Sequence, residues 1–437
     1  MKDPRIASVH PRRVWDSRGR PTVEVEVTLR SGLRGRAIAP AGVSTGSGEA
    51  IDRRDGGSRF GGHDVRGAIE AVRTEIASLL FSRDATDQEG IDRAMIACDG
   101  TPNKSRFGAN AMIATSMAVL HAAAAASDLP LWRYCSGETA VQIPLPEIQI
   151  FGGGAHAGWR VDIQECMVVC LGAATFAEAL DWTSEVYRAA GELMQRRGLL
   201  QGIADQGGYW PCFRSNEETL DALMEAIARA GLRPGKDIAI SIDVAASAFG
   251  KSGRYTLALD GSRLDTAGMI ELLTGWLDAY PICSIEDPLG EDDTEGFVDF
   301  TARNGRRCQI IGDDFLVTNA QRIRKAAADC SVNSALIKPS QAGTITEARE
   351  ALDAGLVAGF GMIVSGRSGD SEDLTVAHLA VGWNAGQLKV GSFARSERMA
   401  KWNELLRIEE QLGGTARLAR LPFFGEHGIR SGLRRGV

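Results

Sequence analysis

Short apolar segments recur through the second half of the chain, and each closes on or next to a glycine or a charged side chain. They occupy residues 238–243 (IAISID), 282–287 (ICSIED), 308–314 (CQIIGDD), 334–339 (SALIKP), 360–366 (FGMIVSG) and 387–391 (QLKVG). Stretches of helical period lie between them, among them 266–280 and 344–354. Strand and helix therefore alternate, which predicts parallel strands joined by helical crossovers. The polar residues closing the strands are Asp243, Glu286, Asp313, Lys338, Arg367 and Lys389, spaced 22 to 43 residues apart. Such an interval holds a strand, a helix and their loops. The pattern predicts a (β/α) barrel whose strand ends converge on one face.

The first third reads differently. Residues 22–28 (TVEVEVT) alternate valine with polar side chains, the period of a half-buried antiparallel strand, and residues 33–39 supply a strand to return beside it. A small-residue loop, 40–50 (PAGVSTGSGEA), follows; it lacks the lysine of a Walker loop and suits a mobile lid or an inert surface turn. Helical patterns cover 65–80, 87–98 and the alanine-rich 109–126, which is apolar on most sides and is predicted to be buried. The fold expected is an N-terminal α+β domain, residues 1–137, capping a barrel domain, residues 138–437, with the boundary near 137–141.

Composition narrows the partners. The net charge of −7 and the absence of a basic block argue against nucleic acid. No apolar run approaches the roughly 20 residues that span a bilayer, and the first residues lack the apolar core of a signal peptide. The eight cysteines contain no CxxC pair, and Cys166 and Cys170 sit in an apolar segment as buried thiols. A reducing cytoplasm is the expected setting.

Three carboxylates and two lysines brought to one barrel mouth have a chemical meaning. Carboxylates that close repel unless protonated or bridged by a cation, and an all-oxygen ligand set favours Mg²⁺. Asp243, Glu286 and Asp313 are read as that metal site. Lys338, beside a divalent ion, would have its ammonium form disfavoured and act as a base near neutral pH. Any one of these alone is more simply a strand-end charge in a solvated loop; the set at barrel spacing is not.

Longer motifs carry a resemblance. Residues 15–27 (WDSRGRPTVEVEV), 41–46 (AGVSTG), 99–111 (DGTPNKSRFGANA), 284–293 (SIEDPLGEDD), 312–319 (GDDFLVTN), 365–373 (SGRSGDSED) and 395–410 (RSERMAKWNELLRIEE) resemble the enolase family, in order along essentially the whole chain. The resemblance implies an enolase-type modified (β/α)8 barrel behind an N-terminal α+β domain, Mg²⁺ dependence with two ions in the substrate complex, and a homodimer or higher homo-oligomer. It implies Asp243, Glu286 and Asp313 as metal ligands and Lys338 as the base that removes a proton next to the substrate carboxylate. Lys389 would neutralise the enolate, Arg367 and Ser368 would hold phosphate, and Ser44 in the lid would help bind a second Mg²⁺. Glu165 and His156 match polar positions of the family's site.

Two departures stand against that pattern. Where the family reads DEGG, this chain has Asp205-Gln206-Gly207-Gly208, and an amide cannot give up a proton as an acid would. Where it reads SHRSGE, Gly366 replaces the histidine, which would open space beside Arg367. The leading expectation is an enzyme forming a metal-stabilised enolate from a phosphorylated three-carbon acid. It would be specialised for phosphonate or phosphinate biosynthesis, as carboxyphosphonoenolpyruvate synthase requires, with a nucleotide-activated phosphonate as second substrate. The alternatives are an ordinary phosphopyruvate hydratase, in which Glu165 or water replaces the lost acid, and a catalytically idle enolase fold used for binding.

Overall fold

The computed structural model describes residues 2–43 and 45–421. The N-terminal part is a three-stranded antiparallel sheet, Ile6–Trp15, Pro21–Leu29 and Arg34–Ile38, in that order. Val23, Val25 and Val27 are fully buried, as their alternation demands, against the helix Ala109–Ala126. That helix comes close enough to the sheet that a Cβ on Gly35 would sit 2.1 Å from the Ala118 carbonyl oxygen. It is long and apolar enough to cross a membrane, but 89% of it is buried inside the protein, which makes it a core helix. The strand Ile6–Trp15 escaped the sequence reading, since its mixture of charged and apolar residues has no clean period.

Among the described residues, eight strands close a barrel: Leu145–Gly152, Glu165–Val169, Ala239–Asp243, Ile282–Glu286, Gln309–Gly312, Ser334–Ile337, Gly361–Ser365 and Gly386–Ser392. The last strand pairs with the first, which leaves no edge. The six segments expected from the sequence are all strands here. The six pair in parallel, as their alternation with helices predicts; the first two barrel strands were not foreseen, and the second, Glu165–Val169, runs antiparallel to both neighbours. Its connection from the first strand contains a single 3-10 turn, Gly154–Ala157, and no crossover helix, so the chain turns straight back.

Six helices outside the barrel start on side-chain caps. Asp265 caps Thr266–Ala279 by accepting from the Gly268 amide, and Thr344 caps Ile345–Val357 by accepting from the Glu347 amide. The barrel interior is partly polar. Gln309 Nε2 donates to Gln387 Oε1 at 2.8 Å across non-adjacent strands, so Gln309 faces inward. Two residues on, Ile311 shares that face and forms a separate apolar cluster with Leu336 and Ile363.

Candidate functional site

Strand register builds the acidic row. Asp243 pairs with Glu286 on one side and Glu165 on the other, so three carboxylates stand side by side on adjacent strands. All are buried. Lys389, inside the last strand, brings its ammonium among them: Nζ lies 2.7 Å from Glu286 Oε2, 2.9 Å from Glu165 Oε2 and 3.1 Å from Asp243 Oδ2. Burial works against the Lys389 charge, but Asp243, Glu165 and Glu286 hold its proton well beyond the ordinary lysine range. Burial and then Asp243 push the Glu286 carboxyl well above the usual carboxylate range, and Lys389 only partly offsets them.

Asp313 follows the strand Gln309–Gly312, and Lys338 follows Ser334–Ile337; their side chains form a short ion pair. Burial alone would raise Asp313, but the Lys338 charge outweighs it and holds the carboxyl below its usual value. Burial likewise opposes the Lys338 ammonium, and Asp313 overrides it, so the lysine's proton is held more tightly than usual. The expectation of a lysine poised to lose its proton rests on a cation beside it taking the Asp313 charge.

Asp287, which the sequence reading passed over, fixes this corner. Its Oδ1 accepts from the Asp313 amide at 2.9 Å and its Oδ2 from the Asp314 amide at 2.8 Å, with its own backbone at φ +39°. Asp287, Asp313 and Asp314 offer oxygens within 4.8 Å of one another, but Asp287 spends both of its oxygens on backbone donors. Gln164 donates to Asp243 at 2.9 Å, and Gln341 donates to Asp313 at 2.9 Å. The signal for Asp287 was its place directly after a strand-closing glutamate; nothing in the sequence marked Gln164 or Gln341.

Among the described residues the acids whose oxygens all lie within 4.8 Å of one another are Asp287, Asp313 and Asp314, not the expected Asp243, Glu286 and Asp313; one observation still fits a divalent cation at the expected set. Glu286 Oε1 is buried and has no hydrogen-bond partner among the described residues, an orphaned oxygen inside an acid cluster. An oxygen-seeking ion would satisfy it and relieve the repulsion that raises the carboxyl.

His156, Gln206, Gly366, Arg367 and Ser368 line one cavity with Lys338 and Lys389. Arg367 Nη1 donates to Glu49 Oε2 at 2.9 Å and to Ser340 Oγ at 3.2 Å. Ser368 Oγ accepts from the Val43 amide at 2.9 Å, which ties the small-residue loop to the barrel. His156 Nδ1 lies 2.9 Å from Asp205 Oδ1. Ser44 falls outside the described residues. The cavity bounded by His156, Glu165, Gln206, Asp243, Lys338, Gly366, Arg367 and Lys389 measures about 30 Å³, room for roughly one water. A Cβ on Gly366 would meet Asp370 Oδ2 at 3.2 Å and Val390 Cγ1 at 3.6 Å, so a side chain there needs a slight shift of the Asp370 carboxylate. A larger cavity of about 580 Å³ lies between Ser47, Glu291, Phe315 and Arg322, but it contains none of the acids or lysines described above.

Fold and pocket together define a closed barrel that gathers acids and lysines at its strand ends. Two family models match the chain, "Enolase, N-terminal domain" over residues 6–135 and "Enolase, C-terminal TIM barrel domain" over residues 140–425. It is 48% identical over 419 residues to a protein named Enolase from Acidothermus cellulolyticus, covering 96% of this chain and 97% of that one. It is 47% identical over 433 residues to Enolase 1 of Desulfitobacterium hafniense, covering 98% and 99%. The chain belongs to the enolase family.

Proposed function

We propose that this protein is a Mg²⁺-dependent lyase that ionises a phosphorylated three-carbon acid of the 2-phosphoglycerate type. Phosphopyruvate hydratase is the reading that its relatives' names support. The observation that carries the proposal is the pairing of two lysines that line one cavity with buried carboxylates, Lys338 with Asp313 and Lys389 with Glu165, Asp243 and Glu286. A proton next to a carboxylate is very weakly acidic, so its removal needs a base on one side and concentrated positive charge on the other. Asp243, Glu286 and Asp313 would hold the ion, which when bound supplies Lewis-acid stabilisation of a carboxylate gaining charge.

In this reading Lys338 takes the proton once Asp313 no longer holds its charge. Lys389 neutralises the enolate, and Arg367 and Ser368 secure the phosphate after exchanging Glu49 and Val43 for it. His156 contacts substrate, and Ser44 serves a second Mg²⁺. Glu165, beside Lys389, is the remaining carboxyl able to assist departure of a hydroxyl. We place the protein in the cytoplasm as a homodimer, a state that sedimentation would measure.

A second reading is favoured by two residues, Gln206 and Gly366, which replace the family's acid and histidine. An enolate formed without an acid to expel hydroxide suits group transfer, as in a carboxyphosphonoenolpyruvate synthase-like step with an activated phosphonate. Incubating the protein with Mg²⁺ and 2-phosphoglycerate in deuterated water separates the two. Enol product at an ordinary enolase rate supports the hydratase, while exchange of the α-proton without product supports the second. Neither exchange nor product, with no calorimetric Mg²⁺ binding, overturns both and leaves an idle fold. A double Q206E/G366H change would raise dehydration strongly only if the second reading holds.

A further inference from the structure

The amide of Gln206 is not merely a lost acid, because its orientation is fixed. The fixing begins at Gly208, whose backbone N–H donates to Gln149 Oε1 at 3.0 Å. A backbone N–H can only donate, so the Gln149 oxygen is assigned without ambiguity, and its Nε2 must point the other way. That Nε2 donates to Gln206 Oε1 at 3.2 Å. The Gln206 oxygen is thereby used, and its NH₂ group is the part left to the cavity that Gln206 lines. Among the described residues no group accepts from it.

The surroundings hold this arrangement in place. Ser392 N–H donates to the Gln206 carbonyl at 3.0 Å, and Tyr187 Oη donates to the Gly207 carbonyl at 2.9 Å. Arg395 Nε donates to the Ala204 carbonyl at 3.2 Å. Gln149 itself is fully buried on the first barrel strand, and its carbonyl accepts from Ser392 Oγ at 2.5 Å. Gly208 is required at its position, since a Cβ would lie 2.5 Å from Gln149 Oε1. The loop is thus pinned at 204, 206, 207 and 208, and the amide cannot turn over without breaking the Gln149 bridge.

We infer that Gln206, oriented by Gln149, is a specificity determinant that selects a substrate bearing a carbonyl-type acceptor oxygen, acyl or carboxylate, where 2-phosphoglycerate carries its departing hydroxyl. This rests on the second of the two readings above, an enolate-forming site without an acid to expel hydroxide, and narrows its substrate class; a hydratase would show no such preference. A fixed N–H donor gains from an acceptor that stays in place; a leaving hydroxyl instead needs a proton that an amide cannot release. Gln149 is a positioning residue, acting only through Gln206.

The test compares two probes that cannot dehydrate, 2-phospholactate, with a methyl group at that carbon, and 2-phosphonooxymalonate, with a carboxylate. Calorimetry in saturating Mg²⁺ should show the parent protein preferring the malonate by at least about tenfold. Q206E, which turns a carboxylate toward the ligand's carboxylate, should erase that preference while leaving 2-phospholactate affinity within about threefold. Q149M, which frees the Gln206 amide to rotate, should reduce the preference to less than about threefold without changing Mg²⁺ affinity. Equal affinity of the parent for both probes, or a preference unmoved in Q206E, overturns the inference. If neither probe binds the parent in Mg²⁺, the proposed function itself fails, an outcome distinct from a lost preference.

Discussion

Replacing Lys389 by methionine removes the ammonium shared by Glu165, Asp243 and Glu286, and the structure sets the size of the consequence. All three contacts are 3.1 Å or shorter, and lysine and carboxylates alike are buried. Breaking a buried ion pair by deleting one partner costs about 3–5 kcal/mol, because the remaining charge has lost both water and its counterion. In a chain of this size that should lower the melting temperature of the metal-free protein by about 3–5 °C. The carboxylates can relieve part of the penalty by taking up protons. Glu286, whose folded-state carboxyl already sits above its unfolded value, is the first to do so. A raised folded-state value means the native state binds more protons than the unfolded chain, so stability falls as pH rises above the unfolded carboxylate value. The K389M deficit should therefore be larger at pH 8 than at pH 5.5.

Magnesium supplies the control. A divalent ion held by Asp243 and Glu286 offsets the same charge deficit, so saturating Mg²⁺ should raise the K389M melting temperature more than it raises the parent's. Scanning calorimetry with and without Mg²⁺ at the two pH values gives the whole comparison. A metal-free variant that melts within about 1 °C of the parent, with an equal Mg²⁺ response in both, would refute the argument that Lys389 is the counterion of this acid row.

Three other substitutions probe different links. Asp287→Asn offers one acceptor where two backbone amides need one each; it should cost about 1–3 kcal/mol in urea unfolding and weaken Mg²⁺ binding about 10–100-fold by calorimetric titration. Burial, followed by the Asp313 charge, pushes the Asp314 carboxyl up to about 7. The stability that its protonated form provides is whole at low pH and is lost as pH rises through about 7, so D314N should gain about 2 kcal/mol on the metal-free parent at pH 8 and little at pH 5. Gly35→Ala would drive a Cβ to 2.1 Å from the Ala118 carbonyl oxygen and 2.2 Å from the Ala122 nitrogen; with backbone on both sides unable to give way, the loss should be about 3 kcal/mol or more by denaturant titration.

The sequence was most informative where one face of an element is buried and the other is not. The alternation over residues 22–28 gave the strand Pro21–Leu29, and the apolar run gave the helix Ala109–Ala126 to the residue. Strand-end charges located most of the acids and lysines, because side chains at adjacent strand ends share a face. What stayed hidden has a common cause. The strand Leu145–Gly152 carries Glu147 and Gln149 into a buried interior, so its polarity reads as surface when it is not. The reversed direction of Glu165–Val169 is a property of the link before it and leaves no mark on its own residues. The pairing of Lys338 with Asp313, and Asp287's hold on two amides, depend on atoms that only the folded barrel brings together.

The two departures from the family pattern fall on a different kind of structure from the acids. Asp243, Glu286, Glu165 and Lys389 lie within barrel strands, where register fixes their separation and a change would disturb the closed sheet. Gln206 lies in the turn between the strands Leu200–Ile203 and Tyr209–Pro211, and Gly366 lies just past Gly361–Ser365. Loop positions can change without cost to the barrel. Gln206, though, is locked by Gln149, while the Arg367 carbonyl beside Gly366 accepts from the buried Arg398 at 2.7 Å. A loop drifting free of function has no reason to keep a buried glutamine and a buried arginine aimed at it. On the proposed function, the strands hold the residues that would ionise a carbon acid, and these two anchored loops would decide what becomes of the ion.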